Sequence, residues 1–512
     1  MHSCSSPHRA GCRSWTILGV AAGVFITGLL SPAFAEDVSE VQRLRKALEQ
    51  MQADFDRQQQ LQRQQIETLR KQIDALQSQR EVASTPSSPP VATPTPPLAL
   101  SGNSGWKPSD PIRLQSGRGL LDLSVSASLA VGGSTAGDIG GGTQLGGHDP
   151  RVNGFTLQNL ELGFTGMVDP YFKATGELVY QIDSSGKSTF ELEEAYAETL
   201  NLPSNLTLRV GQFFSSFGRH NPTHPHQWSF VDMPIANARF LGPDGLRSLG
   251  GQISWLLPTP FYSELSLGIQ NSQGETAASF QFDNAGEPRY HRRLQARRLN
   301  RVADLLFTPR WAASFDLTDQ QTLLFGASGA FGPNASGEDT VTQVYGADVF
   351  WKWKSSHQRA GFPFVSWQSE VLLRRYQAGS FDWDLDGDGL VNVDGSEPDA
   401  NNDGIPDRLA RETLTDYGFY SQLAYGFRPG WVVAFRGDYV DRRDVGQFEE
   451  LYGNDPERAG RWRLSPNLTW YPSEFSRLRL QYNYDQRRHI GNDHSVWMQM
   501  DFSIGSHGAH HF

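Results

Sequence analysis

The feature that most constrains this chain is an alternation of apolar and polar residues with period two, repeated in long segments from Gly119 to Gly505. In the first segment Leu121, Leu123, Val125, Ala127, Leu129 and Val131 share one face, and Asp122, Ser124, Ser126 and Ser128 share the other. Successive side chains of a strand point to opposite sides, so each segment predicts a strand with one greasy and one polar face. The pattern returns in Phe172-Ala174-Gly176-Leu178-Tyr180-Ile182, in Trp431-Val433-Phe435-Gly437-Tyr439 and in Val496-Met498-Met500-Phe502-Ile504. These segments run about 10–14 residues, long for a globular strand and suited to a tilted strand crossing a bilayer. Aromatic residues gather at their ends, where a membrane interface favours them.

The joins alternate between short and long. Asp169-Pro170, Asn201 to Asn205, Pro258 to Phe261, Arg428 to Gly430 and Pro472 to Ser476 are short. Gly132 to Gly154, Gly218 to Arg247, Ser272 to Arg298, Gln377 to Glu412 and Val445 to Gly460 are long. In lipid every backbone N–H and C=O must pair internally, so a membrane sheet closes on itself. The expected fold class is an all-β transmembrane barrel of about sixteen antiparallel strands, with short periplasmic turns and long extracellular loops. It occupies residues 119–512, and a barrel of that width encloses a water-filled lumen.

Three segments precede it. Residues 1–35 read as a signal peptide: Arg9 and Arg13 are basic, Trp15 to Leu30 is mostly apolar, and Ala33-Phe34-Ala35 is a small-x-small cleavage pattern. Both cysteines, Cys4 and Cys12, fall inside it, so disulfides do not stabilise the mature chain. Residues 36–81 form an expected periplasmic α-helical coiled coil, with Val41, Leu44, Leu48, Met51 and Phe55, then Ile66, Leu69, Ile73 and Leu76, on one seam. So narrow an apolar stripe calls for self-association. Residues 82–118 are a proline-rich linker.

A formal net charge of −11 argues against nucleic acid as a partner. The sequence holds no Gly-rich phosphate loop, no Gly-x-Ser-x-Gly elbow and no His-Glu-x-x-His pair, so no catalytic residue is assigned and no enzyme is expected.

The polar faces supply the candidate pore wall. Early strands present Asp122, Glu161, Glu177, Glu191 and Glu193, and late strands present Arg436, Arg461, Arg463, Arg477 and Arg479. Opposite signs in one lumen set a field across it and give modest ion preference. The connection from Gly218 to Arg247 carries Pro222, Pro225, Pro234 and Pro243, which give it a fixed path. Folded inward, it would form the constriction with Arg219, His220, His224, His226, Asp232 and Arg239. The histidines and Asp232 are also the set to which zinc would be assigned. A second metal pattern places Asp384, Asp386, Asp388 and Asn392 at calcium-loop spacing, repeated in Asp399, Asn401, Asp403 and Asp407. The twelfth position is Gly395 rather than an acid, so the match is to short calcium loops of the thrombospondin-repeat type. A structural calcium ion is expected there. No cofactor is required for function.

Gly211 to Arg219 (Gly-Gln-Phe-Phe-Ser-Ser-Phe-Gly-Arg), His224-Pro225-His226, Ala238 to Gly245 and the ending Gly505 to His510 carry a family likeness. Together they resemble the phosphate-selective porin O/P-like outer-membrane proteins, whose relatives are sometimes labelled zinc-regulated TonB-dependent outer-membrane receptors. The resemblance implies a homotrimer of barrels with a loop in the pore. Two departures stand against its finer implications. Arg219, Arg239 and Arg247 are too widely spaced for a phosphate ladder, and residues 36–118 are too short for a receptor plug domain.

The function expected is that of an outer-membrane porin for passive diffusion of small hydrophilic solutes or ions, seated in outer-membrane lipid. Its coiled coil would reach into the periplasm or toward peptidoglycan. One alternative is a zinc-linked uptake protein using the loop histidines with His507, His510 and His511. Another is a non-conducting tether between outer membrane and cell wall.

Overall fold

A computed structural model describes residues 112–116, 119–183, 185–281, 288–295, 298–392, 396–400 and 402–505. The expected signal peptide, coiled coil and linker up to residue 111 lie outside the described residues, as do Gly395, Asn401, His507, His510 and His511.

One antiparallel sheet of seventeen strands dominates the fold, and sixteen of them close into a barrel. The first barrel strand, Gly119–Ser134, pairs with the last, Gly491–Gly505, from Ser124 opposite Gly505 to Ser134 opposite Ser495. Closure leaves no free edge in the wall, as lipid requires. The seventeenth strand, Ile112–Ser116, falls inside the segment expected to be linker. Its Ile112-Arg113-Leu114 alternation pairs it with the start of Gly119–Ser134, beyond the point where Gly491–Gly505 ends. Arg113 Nε donates to Asp122 at 2.8 Å across that hairpin.

The alternation sorts side chains as expected. Leu129, Val210, Phe435, Leu464 and Met498 are exposed on the outer face, whereas Ser124, Ser126, Ser128 and Gln499 are buried inside. On one side of the barrel the strands join by short turns, including Asp319-Gln320 and Ala360-Gly361. On the other side lie the connections 135–153, 215–246, 272–304, 379–411 and 443–460, here loops 1, 3, 4, 6 and 7.

A β-bulge shapes the wall beside the site. Glu177 pairs with Glu194 while Leu178 pairs with Leu192, so Glu193 is the extra residue of Ser188–Thr199. A bulge breaks the alternation locally, and both Glu193 and Glu194 are buried on the inner side.

The interior departs from a plain water-filled lumen. Loop 3 carries the short helix Ile235–Leu241 and packs Phe217, Ile235, Phe240, Leu241 and Leu246 into one apolar cluster. Ala277 and Phe280 of loop 4 join it, against inward-facing Leu306, Ala330, Val344, Leu372 and Val440 of the wall. Each large apolar side chain buried this way contributes about 1.5–3 kcal/mol. The loop is held as a core element is held, and one side of the barrel is filled.

Candidate functional site

Loop 3 is attached to the wall at three places, and the residues expected at the constriction are shared among them. At the first, Glu370 of Phe362–Ala378 accepts from the backbone N–H groups of Arg219 at 2.9 Å and His220 at 2.6 Å. Gly218 has φ +60, and a Cβ there would lie 2.4 Å from Glu370 Oε2, so the chain can pass this close only as glycine. The Arg219 guanidinium covers the Phe350 ring at 3.9 Å and donates to Gln368 at 3.2 Å. His220 rests against Trp228 with ring centroids 5.1 Å apart. Burial, with Arg436 nearby, pushes its pKa down to about 3, so its ring is neutral.

The second attachment uses His224 and His226, which flank Pro225 in the turn Pro225–Gln227 and stack at 5.8 Å. His224 Nδ1 lies 3.1 Å from Glu193 Oε2, and its Nε2 lies 3.1 Å from Glu194 Oε2. A ring whose two nitrogens both face carboxylates carries both protons. His226 Nδ1 pairs with Glu161. From loop 1, His148 Nε2 reaches Glu193 Oε1 at 3.0 Å. Glu177 is buried beside them.

The third attachment is Asp232. It accepts from Arg436 Nη2 at 2.6 Å, Arg463 Nη1 at 2.9 Å, Gln481 at 3.0 Å and Asn483 at 2.8 Å. Burial alone would raise its pKa, but Arg436 and Arg463 hold it at about 2. Arg436 also pairs with Asp438 at 2.7 Å, and Arg461 and Arg463 both donate to Asp485 at 2.8 Å. Arg479 donates to the Trp228 carbonyl at 2.8 Å, and Arg239 to that of Ala459 at 2.9 Å.

The expected wall residues thus point inward, yet Glu161, Glu177, Glu193, Arg436, Arg463 and Arg479 are buried rather than facing open water. Most of them hold loop 3. Desolvated charges need partners, and the loop and the neighbouring strands supply them. Glu191 pairs with Arg247 and stays partly exposed, while Asp122 pairs with Arg113 near the short turns. The candidate zinc set does not assemble as expected. His220 and Asp232 separate from His224 and His226 into the first and third attachments.

Two cavities flank the loop. One of about 490 Å³, toward the short turns, is lined by Arg219, His226, Asp232, Lys352, Arg436 and Arg477 among others. The other, of about 880 Å³ toward the long loops, is lined by Asp138, Arg239, Tyr290, Arg461, Arg487 and Arg488 among others.

In loop 6 the side chains of Asp384, Asp386 and Asp388 bring one oxygen each to within 4.8 Å of one another. Asp384 accepts from Gly387 N at 2.7 Å and Gly389 N at 3.1 Å, and Asp399 accepts from Asp403 N at 3.2 Å and Gly404 N at 2.9 Å. Asp407 is tied to Ala400 N and Tyr452 instead, and Asn392 donates its backbone N–H to buried Glu397 at 3.0 Å. Glu397, His148, Glu194, Glu370 and Lys352 were not among the sequence candidates. Glu370 was open to discovery as an inward position of its strand, whereas the bulge hid Glu194 and only the fold brings His148 near.

No family model matches the chain. A protein of Aquifex aeolicus described as an uncharacterized protein is 30% identical over 391 residues, covering 72% of this chain and 73% of that one. Solved structures with a similar outline include the outer membrane channel DcaP of Acinetobacter baumannii, at 12% identity and a TM-score of 0.46 over 75% of this chain and 97% of that one. OprB of Pseudomonas putida gives 10% identity and a TM-score of 0.44 over 75% and 94%.

Proposed function

We propose that this chain, which belongs to the same family as the uncharacterized protein of Aquifex aeolicus, is a passive outer-membrane channel for small hydrophilic solutes. The observation that carries this reading is a closed barrel with a greasy exterior whose interior is narrowed by loop 3 with parts of loops 1 and 4, with a water-accessible cavity on either side. That arrangement shapes a route.

The cavities favour anions. In the smaller one Arg219, Lys352, Arg436 and Arg477 face a single carboxylate, Asp232. Arg436 and Arg477 are matched by acids of the wall, which leaves Arg219 and Lys352 as the cations addressed to the solute. A charge in a low-dielectric cleft raises the local concentration of its counter-ion. Small inorganic or carboxylate anions are the solutes that fit.

A homotrimer belongs to the same reading. Ala174, Gly176, Ala195 and Ala197 place small residues on the outer face of two adjacent strands, where a second barrel can approach closely. A structural calcium ion in loop 6 belongs to it as well, with Asp384, Asp386 and Asp388 as donors.

Planar-bilayer recording of the purified chain tests the function. Discrete conductance steps and a reversal potential of anion-selective sign in a potassium chloride gradient are expected. Protein that inserts and never conducts, or that selects cations, overturns the proposal.

A further inference from the structure

We propose that the smaller cavity is a binding site for a monocarboxylate with an apolar body, of the kind represented by hexanoate, in preference to inorganic anions. This deepens the channel reading and rests on it for the route by which the solute arrives.

The wall of that cavity is ordered in two rows. Lys352 of Val341–Arg359 pairs with Ser366, Ser366 with Ala424 of Glu412–Arg428, and Ala424 with Ala434 of Trp431–Arg442. In the next row toward the short turns, Lys354 pairs with Phe364, Phe364 with Gly426, and Gly426 with Val432. Partners directly opposite one another in a sheet share a face, so each row starts at a lysine and runs onto uncharged positions. Phe364 and Val432 pack together, with Ala424 and Tyr471 against them. Gly426 has no Cβ to hold the Phe364 ring away from the wall. Phe364, Ala424, Val432, Ala434 and Tyr471 all line the cavity, and no loop 3 residue joins their cluster. This is an apolar lane turned toward the lumen.

Cations stand at one end of the lane. Lys352 Nζ is 5.7 Å from the centre of the Phe364 ring, and the Arg219 guanidinium lies over Phe350 at 3.9 Å. Strands stand about 4.8 Å apart, so Ala424, two strands from Lys352, is about 10 Å from it along the wall. The lysine side chain spans part of that distance. A carboxylate held by it leaves the remainder to a short alkyl chain or a ring, and a cavity of about 490 Å³ has room for either.

An inorganic anion meets this surface badly. Its outward oxygens would lose water against Phe364, Val432 and Ala434, whose side chains offer no donor in return. A carboxylate with an apolar body satisfies both ends. It takes charge-assisted hydrogen bonds from Lys352 and Arg219, and each methylene buried on the lane is worth about fourfold in affinity.

The test uses the full chain refolded in detergent. Calorimetric titration, corrected with protein-free detergent, compares acetate, butyrate, hexanoate, hexanol and phosphate. Affinity should rise at least about tenfold from acetate to hexanoate, with hexanol and phosphate at least about tenfold weaker than hexanoate. In bilayers, hexanoate should interrupt the chloride current in discrete events. Val432→Asn with Ala424→Ser should lower hexanoate affinity at least about fourfold, the worth of one methylene, and narrow its lead over acetate. Lys352→Gln should weaken both acids alike. Should the variants not fold, as judged by heat-modified gel migration, the wild-type series decides. Chloride conductance without a preference for hexanoate over acetate, hexanol and phosphate overturns this inference and leaves the channel reading standing. A preference for hexanoate in a chain that never conducts does the reverse. A preference that the lane substitutions do not reduce also overturns the inference.

Discussion

Asp232 of loop 3 and Arg463 of the barrel wall stand 231 positions apart in the chain and meet at 2.9 Å. Arg436 joins them from the adjacent strand at 2.6 Å, so one carboxylate ties the loop to two neighbouring strands. All three groups are buried. The loop's position therefore rests on a buried charge cluster that the wall alone completes with Asp438 and Asp485.

Removing that carboxylate should be costly. Asp232→Ala leaves Arg436 and Arg463 short of a buried partner, a change that typically costs about 3–5 kcal/mol. Asp232→Asn keeps two hydrogen-bonding atoms and should cost less. Thermal unfolding in detergent will rank the two, and single-channel records of the alanine variant should show added flicker as the loop loosens. Equal melting temperatures for wild type and both variants would sink the assignment.

Selectivity should follow the two cations that no wall acid matches. Arg219→Glu with Lys352→Glu is expected to turn the reversal potential from anion-selective to cation-selective. Conductance in symmetric salt should stay within about twofold, since charge alters ion preference more than it alters the cross-section. An unchanged reversal potential would place the selecting residues elsewhere.

The outer face has its own test. Met498 lies midway along Gly491–Gly505 and is half exposed. Met498→Arg should destabilise the barrel by about 2–4 kcal/mol if that face meets the hydrocarbon midplane. Urea titration of folding into liposomes will read the change, and a neutral result would mean that this face does not meet lipid.

Calcium should stabilise loop 6. At about a hundredfold excess over its dissociation constant, an ion that binds only the folded state adds about 2.7 kcal/mol. Protection of loop 6 from proteolysis by calcium, lost on chelation and absent in Asp384→Asn with Asp386→Asn, is the expected outcome.

Legibility in the sequence depended on what each wall segment faces. Where the inner face holds polar groups, as in Gly119–Ser134 or Ser476–Arg487, period two stands out and the strands are readable without coordinates. Between Leu305 and Ala378 it fades, because Leu306, Ala330, Val344 and Leu372 face inward toward loop 3. Val371-Leu372-Leu373 then reads as a continuous apolar run, with greasy residues on both sides of one strand. The short turns at Asp319-Gln320 and Ala360-Gly361 were obscured with it. The loop residues were identifiable as a group from their prolines and histidines. Their division among Glu370, the glutamates around His224 and the arginines around Asp232 was not, because the three groups of partners lie on different strands far apart in the sequence.

The apolar lane on the inner wall has a consequence for anyone who would widen this barrel. Excising residues 218–246 would not yield a broad aqueous tube. It would lay bare Leu306, Val344, Leu372 and Val440 on the inside of a conduit, a surface that sheds water and gathers oily molecules. Wall and insert have been written for each other, so an enlarged passage needs those four positions made hydrophilic in the same stroke.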